Sequence, residues 1–517
     1  MLADDEISVP EAVPDSSRVS EAGAGWRCAE EGRFVDLLPP PGEVEPFSWR
    51  HPGVLWRSRN DLVAKLFGDP SHDIRRAWVE ALRKRRADVS FTMERPDEAF
   101  SFLLVGDTGE GDRSQYAVVP PMLAAGGDTD FMVVCSDVIY PGGDAADYRN
   151  KFFRPYAGYP APIYAIPGNH DWYDGLRGFM RVFCDVKGEH DPPRRPGPRG
   201  LLARLLWRDP GPIDETALLR ARDEHRGDDR QRAVQPAPYW AIDSPSLRIV
   251  AIDTGITGGI DRDQAAWLRE VSAGPKPKLL ITGKPLFADD RVKPCPIEGE
   301  PAGSGGVHDI VADPAHHYVA VVGGDIHNYQ RYSRTLKDGR TIEYVVSGGG
   351  GAFMHATHTI PKTTLVGEDD FRCYPLRGDS LSRYSQLYAR WLRMKWLALT
   401  PRDAAAAIVH RLGVDPVREN VRGVRPSWRA RLVAALLGVP SGRRRRRSRR
   451  SLRLPVRKLP QHFRSEFADW DRPPFFKNFL RIEVAPDALT LACHGVSGCR
   501  EQEDRPPCED QVTIRLR

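Results

Sequence analysis

Residues 161–175 read APIYAIPGNHDWYDG, and this stretch decides the predicted fold. An apolar run ends at Gly168, and an amide, an imidazole and a carboxylate follow at Asn169, His170 and Asp171. A continuous apolar run, rather than an alternating one, is typical of a strand buried on both faces. Polar side chains directly after such a strand lie at its carboxyl end, where α/β proteins place their binding and catalytic groups.

The same pattern recurs along the chain from residue 99 onward. Short apolar runs each end in a polar or glycine-rich turn, and stretches with helical periodicity lie between several of them. This alternation is typical of an α/β domain with buried sheets. The runs cover residues 99–107, 130–137, 161–169, 247–253, 278–284, 317–325 and 343–351, and strand patterning returns at 479–495 and 510–517.

Composition shifts along the chain predict three regions. Residues 1–98 form an N-terminal leader and helical extension, and the first fifty of them, rich in Pro, Glu and Ser, are expected to be a loose leader. The α/β domain is expected to cover residues 99–360 plus 465–517, with an insertion at 189–236. Residues 370–464 are expected to form a helical insertion with an Arg-rich linker.

Composition also bounds the class of protein. The 517 residues are 41% apolar and 28% charged, as in ordinary globular proteins. No apolar stretch approaches the ~18 residues that a membrane-spanning helix needs. The acidic N-terminus is unlike a secretory signal, and eight scattered cysteines without a CxxC pair are expected to be free thiols. These observations predict a cytoplasmic protein.

The alternative for Cys493, His494, Cys499 and Cys508 is a zinc site, although their spacing fits no common zinc pattern.

The most basic segment of the chain is residues 443–458, which hold ten basic residues and no acidic one. Outside it the chain has more acidic than basic residues, which argues against a general nucleic-acid binder. One interpretation is a solvated linker. A second is docking of Arg443–Arg450 on an anionic membrane surface, helped by the neighbouring RARLVAALLG. A third is contact with nucleic acid, and the absence of interleaved aromatic residues argues against specific binding of that kind.

Polar side chains gather at the ends of the predicted strands. A single aspartate at such a position is usually a cap or a turn former, but several acids, an amide and two imidazoles suggest a shared site. Oxygen and imidazole donors at one sheet edge suit divalent or trivalent metal ions. The residues are Asp107, Asp137, Asn169, His170, Asp325 and His327.

Five short blocks then carry a family resemblance. They are GDTG (106–109), SDVIY (136–140), GNHD (168–171), GKPLF (283–287) and GDIHNYQR (324–331). In this order they resemble the calcineurin-like metallophosphoesterases, and among these the purple acid phosphatase branch. The resemblance covers roughly residues 99–355. It implies a four-layer αββα sandwich of two mixed β-sheets and hydrolysis of phosphate esters at two metal ions.

The resemblance also implies roles for individual residues. The first metal would be bound by Asp107, Tyr140 as a phenolate, and His327, while Asp137 would bridge both metals. Asn169 would bind the second metal, and His170 would be the general acid or a hydrogen-bond donor to the transition state.

Two positions depart from the family pattern. The fourth block normally reads His-x-Pro and here reads Gly283-Lys284-Pro285, and the fifth normally reads Gly-His-x-His but has Asp325 at the first histidine. Both missing histidines belong to the second metal, so one or two ions per chain, divalent or of the Fe, Zn or Mn type, are expected. With Asp325 as a ligand, an oxygen-rich second site would favour Mg²⁺ or Mn²⁺. Alternatively, the chain holds one metal, and Lys284 contacts the substrate phosphate or is a solvated loop lysine.

Two further histidines follow a glycine run near the end of the predicted domain. His355 and His358 come after GGGG at 348–351, where glycine allows close approach to a ligand. They are expected either to donate hydrogen bonds to the substrate phosphate or to stabilise a loop beside the site.

The leading hypothesis is therefore a metal-dependent phosphoesterase that hydrolyses a phosphomonoester or a small phosphodiester through attack by metal-activated water. The alternative is a degenerate, non-catalytic family member that binds a phosphorylated ligand or a protein partner at the membrane surface. The expected partner is a small phosphorylated substrate, with no specific nucleic acid, and the expected location is cytoplasmic with peripheral membrane contact.

Overall fold

The computed structural model is a mixed α/β structure built around two large β-sheets. None of its described helices has both the length and the apolar content needed to cross a bilayer. The structure describes residues 23–43, 47–49, 51–85, 90–188, 190, 196–208, 210–301, 303–367, 369–413, 418, 421, 423–441 and 472–516.

The first sheet has six strands in the order β16-β15-β14-β2-β3-β4. β2, β3 and β4 run parallel to one another, and the C-terminal strands β14 to β16 extend the sheet in antiparallel fashion. Its strands are β2 (Phe100–Gly106), β3 (Phe131–Cys135), β4 (Ile163–Ile166), β14 (Lys477–Val484), β15 (Ala488–Val496) and β16 (Cys508–Arg515).

The second sheet has eight strands in the order β1-β5-β6-β7-β10-β12-β11-β13. β6, β7, β10 and β12 are parallel at its centre, and antiparallel pairs flank them. Its strands are β1 (Thr92–Glu94), β5 (Trp240–Asp243), β6 (Arg248–Ile252), β7 (Lys278–Thr282), β10 (Tyr318–Gly323), β11 (Tyr329–Thr335), β12 (Thr341–Ser347) and β13 (Phe371–Tyr374); β8 (Phe287–Ala288) and β9 (Arg291–Val292) form a separate hairpin.

Helices cover the outer faces of both sheets. The helices of the described residues are α1 (Phe34–Leu37), α2 (Pro52–Arg57), α3 (Asn60–Phe67), α4 (Ser71–Arg85), α5 (Arg113–Tyr116), α6 (Val119–Gly126), α7 (Arg177–Phe183), α8 (Gly197–Leu206), α9 (Glu215–Arg226), α10 (Arg262–Ser272), α11 (Val307–Ala312), α12 (Arg377–Trp391), α13 (Pro401–Leu412) and α14 (Trp428–Leu436).

The two sheets pack face to face, and alternate residues of each strand point into different cores. In β2, Phe102 and Leu104 point between the sheets, whereas Leu103 and Val105 point toward α4, α6 and α7. The outer face of the second sheet is covered by α10 and α11. Burial on both faces explains the continuous apolar runs. The predicted four-layer αββα sandwich is confirmed.

β11 (Tyr329–Thr335) was not predicted to be a strand. Its sequence, YQRYSRT, contains polar residues that interrupt any apolar run. The segment 479–495, expected to be one strand region, forms two strands because residues 485–487 make a hairpin turn. Every other apolar run named above contains an observed strand.

The expectation of a loose leader is wrong for the described residues of the N-terminal segment. Trp49 is 1% exposed, and Phe34 packs in a small core with Tyr116 and Phe475. The expectation of free thiols is also wrong for one pair, since a disulfide joins Cys28 to Cys499. The other six cysteines are thiols.

The helical insertion packs on the end of the sandwich core. Leu381 and Tyr384 of α12, Ile408 of α13 and Val433 of α14 are buried in the same core as β14 and β15. Residues 443–450, to which the membrane and linker interpretations apply, lie outside the described residues.

Candidate active site

The carboxyl ends of five strands meet at one edge of the sandwich. β2, β3 and β4 are parallel neighbours in one sheet, and β7 and β10 are parallel neighbours in the other. Asp107 follows β2, Asp137 follows β3, Asn169 and His170 follow β4, Lys284 follows β7, and Asp325 and His327 follow β10.

The backbone is constrained where the two sheets approach. A Cβ on Gly324 would lie 2.6 Å from the carbonyl oxygen of Cys135 and 2.8 Å from Oδ2 of Asp107, so only glycine fits there. Three site acids adopt positive φ angles, of 56° at Asp107, 35° at Asp137 and 64° at Asp325. Such angles are uncommon outside glycine and concentrate at functional sites.

The hydroxyl of Tyr140 lies at the centre of the predicted first metal site. It is 2.9 Å from Oδ2 of Asp137, 3.2 Å from Nε2 of His327 and 3.5 Å from Oδ1 of Asp107. Nε2 of His327 is 3.7 Å from Oδ1 of Asp107. The Tyr140 hydroxyl thus lies within 3.5 Å of one atom of each of the other three predicted ligands of the first metal.

His327 presents a free lone pair to this cluster. Its Nδ1 is 2.7 Å from the carbonyl oxygen of Phe353, which only accepts, so Nδ1 carries the proton and Nε2 is left as a donor to a metal. Burial, followed by the neighbouring His355, lowers the pKa of His327 well below its usual range and keeps the ring neutral.

His355 supports His327 from behind rather than facing the cluster centre. Its Nδ1 accepts the backbone N–H of His327 at 2.9 Å, and the two rings stack with centroids 4.6 Å apart. The predicted substrate-binding residue is therefore placed where it orients His327.

The cluster concentrates negative charge in a buried place. Burial raises the pKa of Asp107 well above its usual range, and the charges of Asp137 and Asp325 add to this effect. Burial and the charges of Asp137 and Asp107 raise the pKa of Tyr140 well above its usual range. Burying several carboxylates together costs free energy unless a cation neutralises them. The charge of this cluster therefore favours binding of a positive ion.

The other half of the site already contains a cationic side chain. Nζ of Lys284 donates to Oδ1 of Asp325 and, at 3.2 Å, to Oδ1 of Asn169. The Lys284 side chain is 25% exposed and that of Asp325 is 30% exposed. Burial would lower the pKa of Lys284, but the Asp325 carboxylate raises it above its usual value.

His170 is held at the rim of the cluster. Its Nδ1 lies 2.9 Å from the carbonyl oxygen of Pro141, so Nδ1 donates and Nε2 is the atom available to a ligand. Its backbone N–H donates to Oδ1 of Asp137 at 2.8 Å, and its ring contacts Tyr140 and Tyr173. The imidazole is thus fixed beside the predicted bridging carboxylate.

Asp171, the third polar residue of the opening stretch, organises the loops instead of facing the cluster. Its carboxylate accepts the backbone N–H groups of Val138, Ile139 and Gly168 at 2.9–3.0 Å. Burial, followed by the Asp137 charge, raises its pKa to about 8. Sequence reasoning assigned Asp171 no role, although its place directly after His170 was the available signal.

Trp49 was also missed. Its Nε1 donates to Oε1 of Glu110 at 2.8 Å, and its ring packs edge-on against Tyr140, His170 and Phe353. The N-terminal segment therefore forms one wall of the site. The apolar pair Phe47 and Trp49 in an otherwise polar leader was the signal in the sequence.

Two predicted alternatives lie away from this site. His358 is buried between Ser380 and the carbonyl oxygen of Leu437, where it joins a loop to the helical insertion. The proposed zinc group is not assembled, because Cys499 is bonded to Cys28. Within the described residues, one set of three Cys, His, Asp or Glu side chains has ligand atoms that all lie within 4.8 Å of one another, namely Cys28, Cys499 and Glu501. The acids at the strand ends lie around the Tyr140 hydroxyl instead.

A family model described as calcineurin-like phosphoesterase matches residues 100–329. Residues 100–329 are therefore similar to the calcineurin-like phosphoesterases. The matched segment begins at β2 and ends at the first residue of β11, so it includes every strand end that contributes to the site. The family resemblance seen in the five sequence blocks is confirmed, and phosphoesterases of this family generally depend on two metal ions.

Several solved structures match the chain at low similarity. A purple acid phosphatase, PPD1, from yellow lupin seeds is 11% identical with a TM-score of 0.36, and the match covers 81% of this chain and 54% of that one. PhoD is 10% identical, with a TM-score of 0.35 and coverages of 82% and 70%. GAP50, the anchor in the inner membrane complex of Plasmodium, is 10% identical, with a TM-score of 0.30 and coverages of 53% and 77%.

These similarities are too weak to transfer an activity or a substrate. The chain spans about half of the length of the lupin phosphatase. None of the curated proteins compared with the chain matches it significantly.

Proposed function

We propose that the chain is a metal-dependent phosphoesterase that hydrolyses a phosphomonoester or a small phosphodiester. The observation that supports this most directly is the meeting of Asp107, Asp137 and His327, from three strand ends in two sheets, within 3.5 Å of the Tyr140 hydroxyl. We propose that the catalytic domain comprises residues 99–360 plus 465–517, with the insertion 189–236 and the helical insertion 370–464 at its edges.

In this proposal each residue has a defined task. Asp107, Asp137, Tyr140 and His327 would hold a cation, which neutralises phosphate charge and acidifies a water molecule. With both ring nitrogens protonated, His170 donates the Nε2 proton to the leaving oxygen as its bond to phosphorus breaks, and the ring is left neutral with its remaining proton on Nδ1. Its Nδ1–H bond to Pro141 keeps Nε2 in a fixed direction. Lys284 supplies an ammonium to a phosphate oxygen.

The test is hydrolysis of an aryl phosphate by the full chain with added Mn²⁺. Asp137→Asn removes a carboxylate from the cluster while keeping its shape, and we expect it to lower kcat/KM by at least a hundredfold. Asp338→Asn, at an exposed carboxylate paired with Arg340, is the matched control and should retain activity. Equal activity of the wild type and Asp137→Asn would refute the assignment.

The second candidate is a non-catalytic relative that binds a phosphorylated ligand. The contact of Lys284 with Asn169 and Asp325 favours it, because these residues are engaged with an ammonium rather than left for a second metal. Equilibrium binding of a phosphorylated ligand without turnover, in a protein that contains metal, would support this candidate over the enzyme.

Two expectations about location stay proposals. Docking of Arg443–Arg450 on an anionic membrane surface is proposed from sequence alone. A cytoplasmic location was expected partly from free thiols, and the Cys28–Cys499 disulfide weighs against a reducing compartment. Thiol counting on protein taken directly from its own cells tests the second expectation: eight reactive cysteines would favour the cytoplasm, and six an oxidising compartment.

A further inference from the structure

We propose that Lys284 occupies the position of the second cation, so that the chain binds one metal ion where related phosphoesterases generally bind two. This inference rests on the proposed metal site and specifies its stoichiometry. The ammonium of Lys284 contacts both side chains, Asn169 and Asp325, that would otherwise be the oxygen ligands of a second ion. An ion bonded to these oxygens and an ammonium hydrogen-bonded to them compete for the same lone pairs.

The backbone around Lys284 is shaped to deliver its side chain to this point. A Cβ on Gly258, which has a φ of +92°, would lie 2.9 Å from Cδ of Lys284. Glycine at 258 therefore leaves the space through which the lysine stem passes. The hydroxyl of Thr282 donates to the Lys284 carbonyl oxygen at 3.0 Å and fixes the loop after β7. These two contacts distinguish Lys284 from a solvated loop lysine.

Charge balance supports the same conclusion. With the Tyr140 hydroxyl protonated, Asp107, Asp137 and Asp325 contribute three negative charges, which one divalent ion and the Lys284 ammonium neutralise. Two divalent ions together with the ammonium would bring five positive charges to three carboxylates. Charges of one sign about 4 Å apart repel strongly in a partly buried site, so the ammonium disfavours a second ion.

The arrangement also places the one potential ligand that replaces a missing imidazole, Asp325, in contact with the Lys284 ammonium. A neutral imidazole at 284 would add a lone pair for an ion, whereas an ammonium has donors only. Asp325 is held between Lys284 and Asp107, since its own backbone N–H donates to Oδ2 of Asp107 at 2.9 Å. Asp325 thus links the ammonium to the metal site as a shared counter-ion.

The test counts Mn²⁺ ions per chain by elemental analysis and by titration calorimetry, without reference to activity. We expect one ion in the wild type and two in Lys284→His/Asp325→His, which replaces the ammonium and its partner carboxylate with two imidazoles that can bind a metal ion. Lys284→Met keeps the length of the side chain without its charge and should strengthen binding of a second ion at least tenfold. Lys293→Met, at an exposed lysine, is the matched control and should still bind one.

The outcomes separate this inference from the proposed function. One ion in the wild type without any hydrolysis supports the inference and refutes the enzyme. Binding of two ions by the wild type, together with hydrolysis, would refute the inference but support the proposed phosphoesterase activity. One ion in the wild type and in both Lys284 variants also refutes the inference, because the ammonium would then not be what limits the count.

A second surface, unrelated to the metal site, carries an independent inference: we infer that the start of α14 and the turn after α12 dock on an anionic bilayer. Three tryptophans on this surface, Trp391, Trp396 and Trp428, are 43–71% exposed. The guanidinium of Arg429 donates to the carbonyl oxygen of Trp396 at 3.3 Å, which places the two segments side by side. Tryptophan pairs an apolar ring with a polar N–H and is enriched where membrane meets water.

The charge around these rings complements an anionic lipid surface. Exposed basic residues lie among the tryptophans, namely Arg390, Arg393, Lys395, Arg425 and Arg431. Among the described residues of 390–436 the one acid is Asp403, and Arg429 lies 3.7 Å from its carboxylate. The Arg-rich sequence 443–450 follows this surface in the chain. Clustered basic residues with interfacial aromatic rings suit phosphatidylglycerol or phosphatidylserine headgroups.

The test is flotation of the full chain with phosphatidylcholine vesicles that do or do not contain phosphatidylglycerol. We expect binding to the anionic vesicles only, and at least a tenfold loss in Trp391→Gln/Trp396→Gln/Trp428→Gln. Trp56→Gln, at a tryptophan 61% exposed elsewhere, is the matched control and should bind as the wild type does. Arg393→Glu/Lys395→Glu gives a second variant that keeps the rings and should also lose binding.

Either of two results would overturn the membrane inference. The first is equal flotation of the wild type and both surface variants. The second is the absence of vesicle binding together with a dimer that the tryptophan variant abolishes in light scattering, which would assign the surface to a second copy of the chain.

Discussion

The backbone N–H of Asp325 donates to Oδ2 of Asp107 at 2.9 Å. Asp325 follows β10 of the eight-stranded sheet, and Asp107 follows β2 of the six-stranded sheet. This bond therefore joins the two sheets at the floor of the candidate active site. Neither sheet alone contains the site, which is complete only when the sandwich has formed.

Replacement of His170 by Asn should separate proton donation from metal binding. Proton donation by a positioned imidazole is worth about 10²–10⁴ in rate, so we expect a loss in kcat of that order on an alkyl phosphate, whose leaving group needs a proton. On an aryl phosphate with an acidic phenol the loss should be much smaller. Paired kinetics on the two substrates, with the Mn²⁺ content of each protein, provide the measurement.

A similar loss on both substrates would contradict this role for His170. It would indicate that the residue positions Asp137, to which its backbone N–H donates, rather than donating a proton itself.

Replacement of His355 by Phe should weaken the metal site without touching a ligand. The backbone N–H of His327 would lose its acceptor, while the stacked ring would be kept. Losses of about 10–100-fold in metal affinity are typical when the group that orients a histidine ligand is removed. Calorimetric titration with Mn²⁺ measures this, and His410→Phe, at an exposed histidine of α13, is the control. Unchanged affinity in His355→Phe would contradict the orienting role.

The buried ion pairs of Arg75 should make stability depend on pH. Arg75 of α4 contacts Asp253 at 2.7 Å and Asp261 at 2.6 Å, and all three side chains are buried. Burial opposes ionisation of Asp261, but the Arg75 charge outweighs it and lowers the Asp261 pKa. A lowered pKa in the folded state means that the ionised carboxylate stabilises the protein above the unfolded pKa of about 3.9, and that this contribution is lost as pH falls through the folded value.

Asp261→Asn is the variant that tests this. We expect it to lower the free energy of unfolding by about 3 kcal/mol at pH 7. The difference from the wild type should shrink as pH falls below about 4. Thermal unfolding across pH 3–7 measures it, with Asp263→Asn, a half-exposed neighbour without this contact, as the control. A difference that is constant with pH would contradict the ion-pair account.

Loss of the disulfide should destabilise the N-terminal segment. The bond joins Cys28 to Cys499 across 471 residues of sequence, and removal of a disulfide typically costs about 2–4 kcal/mol. We expect Cys28→Ser to lower the unfolding temperature and to increase proteolysis near Trp49. Cys508→Ser, at a thiol, is the control. Eight reactive thiols in the non-reduced wild type would contradict the bond.

The strand framework and most of the site were predictable because they follow from local pattern. Strands buried on both faces give continuous apolar runs, and Asp107, Asp137, Asn169 and His327 come directly after them. What the sequence does not encode locally is which distant side chain meets them. The contact of Trp49 with His170 joins residues 121 positions apart, and no periodicity in the leader indicates it.

The parts that were wrong failed for the same reason. The disulfide depends on the N-terminal segment reaching the turn after β15, which no spacing of cysteines reveals. β11 was missed because polar residues such as Gln330, Arg331 and Ser333 interrupt the apolar pattern, while hydrogen bonds to β12 and β13 hold it in the sheet. Tertiary pairing decided these elements, and local propensity did not.

The most direct test of the account is anomalous diffraction from a crystal of the full chain soaked in Mn²⁺. We expect one peak about 2.0–2.3 Å from Asp107, Asp137, Tyr140 and His327, with Lys284 still in contact with Asn169 and Asp325. A crystal with no peak beside the Tyr140 hydroxyl at saturating Mn²⁺ would contradict the metal-dependent phosphoesterase proposed for this chain.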